Sequence, residues 1–215
     1  MRYGGATKIN IMNKTNVRSY TDQQLLEKVK TLSNFKSIPR GIWILGVRSN
    51  EDAPNVYDDK FYVFHGEQFM QVLTGTTNCG TPVLTGGYKK YNKKGAFILE
   101  ADKWHHKMWK YVYRNSRGHE LRQVNEVTGF RDNNNNNKSE EIGNVVKGLY
   151  GINFHTNTFK YYNSYISWII GWNSAGCQVT NKRKEFKDLM MTFATRLRQR
   201  KQIYITYCLI NEFTP

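Results

Sequence analysis

The hydrophobic period of the chain changes several times. After a polar, irregular arm over residues 1–20, Thr21-Asp22-Gln23-Gln24 has the form of a capping box, and Leu25, Leu26, Val29 and Leu32 recur at helical spacing, which predicts a helix over about 22–33. From Gly41 the pattern shortens to that of strands. "GIWILGVRS", "KFYVFHG" and "EQFMQVLTG" are rich in β-branched and aromatic residues and are separated by turn residues such as Pro54-Asn55 and His65-Gly66, so they predict an antiparallel meander. Residues 75–95 hold five glycines and one proline, more than a hairpin needs, and predict a long structured loop beside a site. "LRQVNEVTGFRD" reads as a strand pair and "GLYGINFHT" as a strand ending near His155. Phe186, Leu189, Met190, Phe193 and Leu197 mark one face of a helix, and "QIYITYCLI" is a final strand. With no internal repeat, the pattern predicts one α+β domain over 21–215, its sheet mostly antiparallel and its few helices peripheral.

Charge narrows the class of partner. Lys and Arg number 32 against 17 acidic residues, a formal charge of +15, so the surface should attract polyanions such as nucleic acid, teichoic acid or an acidic neighbouring protein. The basic runs Lys182-Arg183-Lys184 and Arg196 to Lys201 flank the predicted helix, but no nucleic-acid motif accompanies them. The apolar share of 39% supports a packed core, while no run approaches the roughly 20 apolar residues of a membrane span. No signal-peptide core precedes the domain, so the expectation is synthesis in the cytoplasm, no membrane partner and delivery elsewhere by another route. Cys79, Cys177 and Cys208 are too few and too far apart for a disulfide framework or a thiolate zinc site, and leave a free thiol.

Candidate chemistry gathers at Cys177 and His155. A thiol becomes a nucleophile when an imidazole takes its proton and backbone N–H groups receive the developing oxyanion. The turn Ser174-Ala175-Gly176-Cys177 can supply such amides, because Gly176 lets the chain bend sharply; Trp172 precedes it on the same loop. An ordinary buried cysteine and a strand-end histidine are the bland alternative.

The order of these elements resembles the catalytic segment of the L,D-transpeptidase (YkuD) family. The segment carrying it runs from Tyr150 to Ile210: "YGINFHTNT", then "SAGCQV", then a helix and a terminal strand. Position by position, His155 matches the family's base, Cys177 its nucleophile, and Ser174 and Gly176 its turn, while Thr156 lies near the family's threonine. Ala175 and Val179 stand where the family has histidine and arginine. The resemblance implies a β-sandwich of L,D-transpeptidase type, probed by a thioester mechanism on peptidoglycan stem peptides without a cofactor. It implies catalytic roles for Cys177, His155, Gly176 and Ser174, the amides of Gly176 and Cys177 binding the oxyanion, and substrate contacts at Thr156, Asn157 and Trp172. A backbone carbonyl, Asn153 or Asn157 would orient the imidazole.

Other patterns have plainer readings. Asp132, Asn134, Asn136 and Glu140 follow the odd-numbered spacing of a calcium loop, but the glycine and final acid of that loop are missing, so the stretch reads as a solvated hairpin tip. His105 and His106, adjacent on an expected helix, would diverge too far to share a metal, and none is expected. Cys79 is the rival nucleophile but has no base beside it in sequence. A second class stays open: a bacteriophage virion component without catalysis, its basic surface meeting neighbouring subunits or DNA.

Overall fold

A computed structural model describes residues 19–51, 53–87, 93–114, 118–157 and 165–215. The expected N-terminal arm lies outside the described residues except for Ser19 and Tyr20, and the ring of Tyr20 stacks on Phe213 at 4.3 Å. The first helix, α1 (Asp22–Lys30), begins where the capping box predicts: Gln24 N–H donates to Thr21 Oγ1 at 3.2 Å, and Thr21 N–H to Gln24 Oε1 at 2.9 Å. It stops at Lys30, where Thr31 caps it, earlier than the hydrophobic spacing suggests.

The expected meander forms as β1 (Ile42–Arg48), β2 (Asp59–His65) and β3 (Gln68–Thr76), each antiparallel to the next. A short helix α2 (Thr81–Leu84) follows, then β4 (Ala96–Leu99), β5 (Lys103–Arg114), β6 (Gly118–Gln123), β7 (Val127–Asp132) and β8 (Val146–Gly148). The last third holds β9 (Phe154–Thr156), β10 (Gln178–Thr180), α3 (Arg183–Gln199) and β11 (Ile205–Asn211).

The β-sandwich expectation is overturned. Eight strands close into a mixed barrel in the order β1-β11-β5-β6-β9-β10-β3-β2, and β4-β7-β8 form a separate three-stranded sheet. Two parallel pairs, β1 with β11 and β9 with β10, make the closure possible. Parallel neighbours require crossovers, and one lies between β9, which ends at Thr156, and β10, which begins at Gln178. The expected strand pair in "LRQVNEVTGFRD" splits: β6 joins the barrel while β7 goes to the small sheet.

Alternation along the strands sorts the side chains. Ile44, Phe61, Leu73, Trp109, Leu121, Phe154 and Tyr207 share one cluster inside the barrel, and α3 packs into it through Phe186, Leu189, Met190, Phe193 and Leu197, the face expected from the sequence. Trp43, Leu45, Phe64 and Cys208 turn outward beneath Leu25 and Val29 of α1. β1 is therefore buried on both sides along its whole length, which explains its continuous apolar run. The inside layer is tight enough that Gly46 is required: a Cβ there would meet the Tyr207 hydroxyl oxygen.

A charged network fastens the barrel to the small sheet. Arg48 reaches Glu141 at 2.7 Å, donates to the Leu99 carbonyl at 2.9 Å, and donates through Nε to Thr77 Oγ1 at 3.0 Å. Buried Asp59 accepts from Ser49 N–H at 2.7 Å and from Thr77 N–H at 2.5 Å. Among the described residues no helix is long and apolar enough to cross a membrane.

Candidate functional site

The parallel pairing of β9 with β10 brings the two candidate residues together. Phe154 pairs with Gln178 and His155 with Val179, so the turn that ends at Cys177 is carried to the flank of His155. Phe154 points into the barrel core, and alternation turns His155 to the outer face. There the Cys177 thiol and the His155 imidazole act on each other through a side-chain hydrogen bond and charge, the thiol lies 3.4 Å from the Gly151 carbonyl oxygen, to which it can donate, and both side chains are half-buried, with part of their surface open.

The imidazole is held by a backbone carbonyl, one of the orienting groups the sequence allowed. His155 Nδ1 lies 2.8 Å from the Thr156 carbonyl oxygen, which can only accept; the neutral ring therefore carries its proton on Nδ1 and leaves Nε2 as the basic nitrogen. Burial works against charging either group, but their mutual attraction prevails. Burial alone lowers the His155 pKa, yet the bond to Cys177 and the charge of its thiolate raise it above the usual histidine value. Burial alone raises the Cys177 pKa, yet the His155 bond and charge, with a contribution from the Asn153 N–H, bring it below the usual thiol value. The two opposite shifts favour transfer of the thiol proton to the imidazole.

Sequence and packing together explain the turn. Gly176 has φ +126°, and a Cβ there would lie 2.5 Å from the Phe97 carbonyl oxygen, so only glycine fits between the turn and β4. Ser174 is fully buried and braces the bend: its hydroxyl donates to the Cys177 carbonyl at 2.8 Å and accepts from Gly176 N–H at 3.3 Å. The Gly176 amide expected in an oxyanion site is thus engaged by Ser174 in the resting protein, and Ser174 shapes the turn instead of touching the reacting atoms. Gly80 N–H, from the glycine-rich loop, donates to the Ser174 carbonyl at 3.0 Å, so that loop does lie beside the site.

The expected substrate contacts divide. Thr156 and Asn157 are buried and tie the end of β9 to the end of β10 and the residue after it: Thr156 Oγ1 donates to the Thr180 carbonyl at 3.4 Å, and Asn157 Nδ2 to the Asn181 carbonyl at 3.2 Å. Their side chains are used within the fold. Trp172, on the short 3-10 turn Gly171–Asn173, stays 61% exposed, and Trp168 and Ile169 shortly before it are exposed too. Asn153 is directed elsewhere, its Oδ1 accepting from Gln123 N–H at 2.9 Å.

Two residues near the site carry no sequence signal. Tyr57 is buried beside Val179, Ile170 and Cys177, and burial pushes its hydroxyl up to about 12 despite the side chains of Ser167, Asn173 and Asn157 around it. Glu120 reaches the pair from β6 and exerts its charge on both His155 and Cys177. Only the pairing of β6 with β9 reveals it.

The remaining candidates fall away on geometry. Cys79 is buried with its thiol 3.6 Å from the Phe97 carbonyl, and burial pushes its pKa up, which removes it as a nucleophile. His105 and His106 lie on strand β5 and not on a helix. His105 is buried against the Glu100 carbonyl at 3.0 Å, and His106 stacks on Trp104. The Asn-rich tip folds on itself: Asp132 accepts from the amides of Asn134 and Glu140, while the side-chain amides of Asn134 and Asn136 point at the Glu140 carboxylate. Among the described residues no cluster of three or more His, Cys, Asp or Glu side chains could hold a metal ion.

No protein-family model, curated protein or solved structure matches this chain.

Proposed function

We propose that this protein is a cysteine-dependent acyl-transfer or hydrolytic enzyme acting on peptidoglycan stem peptides, with Cys177 as nucleophile and His155 as its proton shuttle. The observation that carries the reading is the hydrogen-bonded thiol and imidazole on a partly open outer face of the barrel, with the Cys177 pKa lowered and the His155 pKa raised by each other. The substrate class rests on the likeness of the segment from Tyr150 to Ile210 to L,D-transpeptidases, and exposed Trp172 offers that substrate an apolar surface beside the turn.

The chemistry proceeds in two halves. The Cys177 sulfur attacks the acyl carbon of a stem-peptide bond and the carbonyl electrons move onto oxygen. When the oxyanion collapses, the C–N bond breaks and the amine leaves with the proton held by His155, so the acyl group remains as a thioester on sulfur. Water, or the side-chain amine of a second stem peptide, then gives a proton to neutral His155 and attacks the thioester, regenerating the thiol.

A second reading has its own support. Trp168, Ile169 and Trp172, close in sequence and exposed by 72%, 62% and 61%, are large apolar side chains left in solvent, as at interfaces, which suits a virion component that assembles without catalysis. Incubation with defined disaccharide tetrapeptides, followed by mass spectrometry of both products and protein, tests the two. The enzyme reading expects an acyl adduct on Cys177 and cleaved or cross-linked products, both lost in Cys177→Ala. Absence of any adduct or product from folded wild-type protein overturns it and leaves the assembly role.

A further inference from the structure

We propose that Glu120 is the third member of the site, a positioning residue that supplies the standing counter-charge for the His155 imidazolium once the sulfur has lost its own. The inference rests on the reading of Cys177 and His155 as a working pair.

Backbone register places it there. β6 runs antiparallel to β9 with Leu121 opposite Phe154, so the next step along each strand sets Glu120 opposite His155. Cβ atoms of directly opposed residues lie about 5 Å apart on one face of a sheet. Leu121 and Phe154 both point into the core, which turns Glu120 and His155 together to the outer side. Glu120 is 3% exposed, and a carboxylate so buried has to be compensated. Arg114, diagonal to it across the β5–β6 pair, has Nε 3.1 Å from Glu120 Oε1. The glutamate charge acts on both members of the pair, favouring the imidazolium and opposing the thiolate.

The other charged groups nearby do not take this role. His119 precedes Glu120 in β6 and faces the opposite side, where its Nδ1 lies 2.6 Å from the Tyr111 hydroxyl and Lys187 of α3 lowers its pKa alongside burial. From α3, Glu185 pairs with Lys182 at 3.1 Å. From β5, Arg114 acts on the site through Glu120. Arg131, over the Phe97 ring at 5.3 Å, is a cation and cannot supply a counter-charge. The Cys177 thiolate can, and it is the charge the reaction consumes.

That consumption gives Glu120 its purpose. In the free protein the thiolate balances the imidazolium. When the sulfur becomes a thioester its negative charge is gone, while the ring still has to hold a proton until the leaving amine accepts it. A carboxylate one strand away keeps the ring protonated through that interval, and Arg114 holds the carboxylate in place and moderates its field.

The test measures the free protein, so it does not depend on the substrate. Iodoacetamide alkylation of Cys177 followed against pH reports the thiol, and the C2 proton of His155 followed by NMR reports the ring, in wild type, Glu120→Gln and Glu120→Asp. Removing the charge should move both transitions to lower pH, with alkylation on the acid limb about three- to tenfold faster in Glu120→Gln, because a negative charge opposed the thiolate and favoured the imidazolium alike. Glu120→Asp should stay near wild type. A merely structural role would loosen the pair and move the two transitions in opposite directions, the thiol upward and the ring downward. That outcome, or no movement of either, overturns the proposal. Should both transitions fall while no muropeptide is turned over, the assignment of Glu120 stands and the substrate reading fails.

Discussion

Replacing Gly176 by alanine should damage both the fold and the reactivity of Cys177, and the structure sets the scale. The residue sits at φ +126°, where a side chain is disfavoured, at a cost of about 1–2 kcal/mol for an L-residue in left-handed backbone. The added Cβ would stand 2.5 Å from the Phe97 carbonyl oxygen and 2.9 Å from Ile152 Cδ1. Ile152 can shift, but the Phe97 carbonyl belongs to β4, which pairs with β7, so the turn has to move by roughly 1 Å. Strain and displacement together suggest a loss of about 3 kcal/mol, which for a domain of this size lowers the Tm by about 6–12 °C. A displacement of that size also separates the sulfur from His155, and misplacing a reacting group by 1 Å costs about a hundredfold in rate. Calorimetry and iodoacetamide alkylation at neutral pH read the two effects. A Gly176→Ala protein with wild-type Tm and wild-type alkylation rate would refute the claim that β4 clamps the turn.

Further outcomes follow from the same geometry. His155→Ala should slow alkylation of Cys177 near pH 7 at least tenfold, since the bond and charge that lower the thiol pKa are removed while burial, which raises it, remains; an unchanged rate would mean the imidazole does not activate the sulfur. Arg48→Ala should destabilise the protein by about 2–3 kcal/mol in urea unfolding, because it breaks the ion pair with Glu141 and leaves the buried Leu99 carbonyl and Thr77 hydroxyl without their donor; a loss below about 1 kcal/mol would show the network to be incidental. His105 is held neutral by burial, its pKa lowered to about 4, so between about pH 6.5 and 4 the unfolded chain takes up a proton that the folded one refuses. Its contribution to stability is therefore intact above pH 6.5 and falls away by about 3 kcal/mol as the pH drops to 4. The difference between wild type and His105→Gln in urea titrations across that range should show this slope, and a flat difference would refute it.

What the chain discloses on reading, and what it hides, follows from the range of each interaction. The capping box at Thr21, the strands of the meander and the buried face of α3 depend on neighbours a few residues away, and each lies where the pattern places it. The barrel does not, because its closure depends on β1 lying parallel to β11, some 160 residues later, and alternation names the buried face of a strand without naming its neighbour. The histidines of β5 show the same limit: an aromatic-rich run suits a helix or a strand, and the pairing of this part of β5 with β11, some 100 residues later, decides. At the site, Cys177 and Gly176 were visible because a sharp turn needs a glycine and a nucleophile needs a turn. Glu120 was not, since "HELRQ" is an ordinary strand until β6 is known to lie against β9. Thr156 and Asn157 misled for a related reason: beside His155 in sequence they look available, yet the parallel partner β10 and the residue after it consume their side chains. A parallel pair of three-residue strands thus does two jobs: it spends the polar side chains that follow the histidine on holding the strands together, and it sets the imidazole, anchored through Nδ1, beside the sulfur.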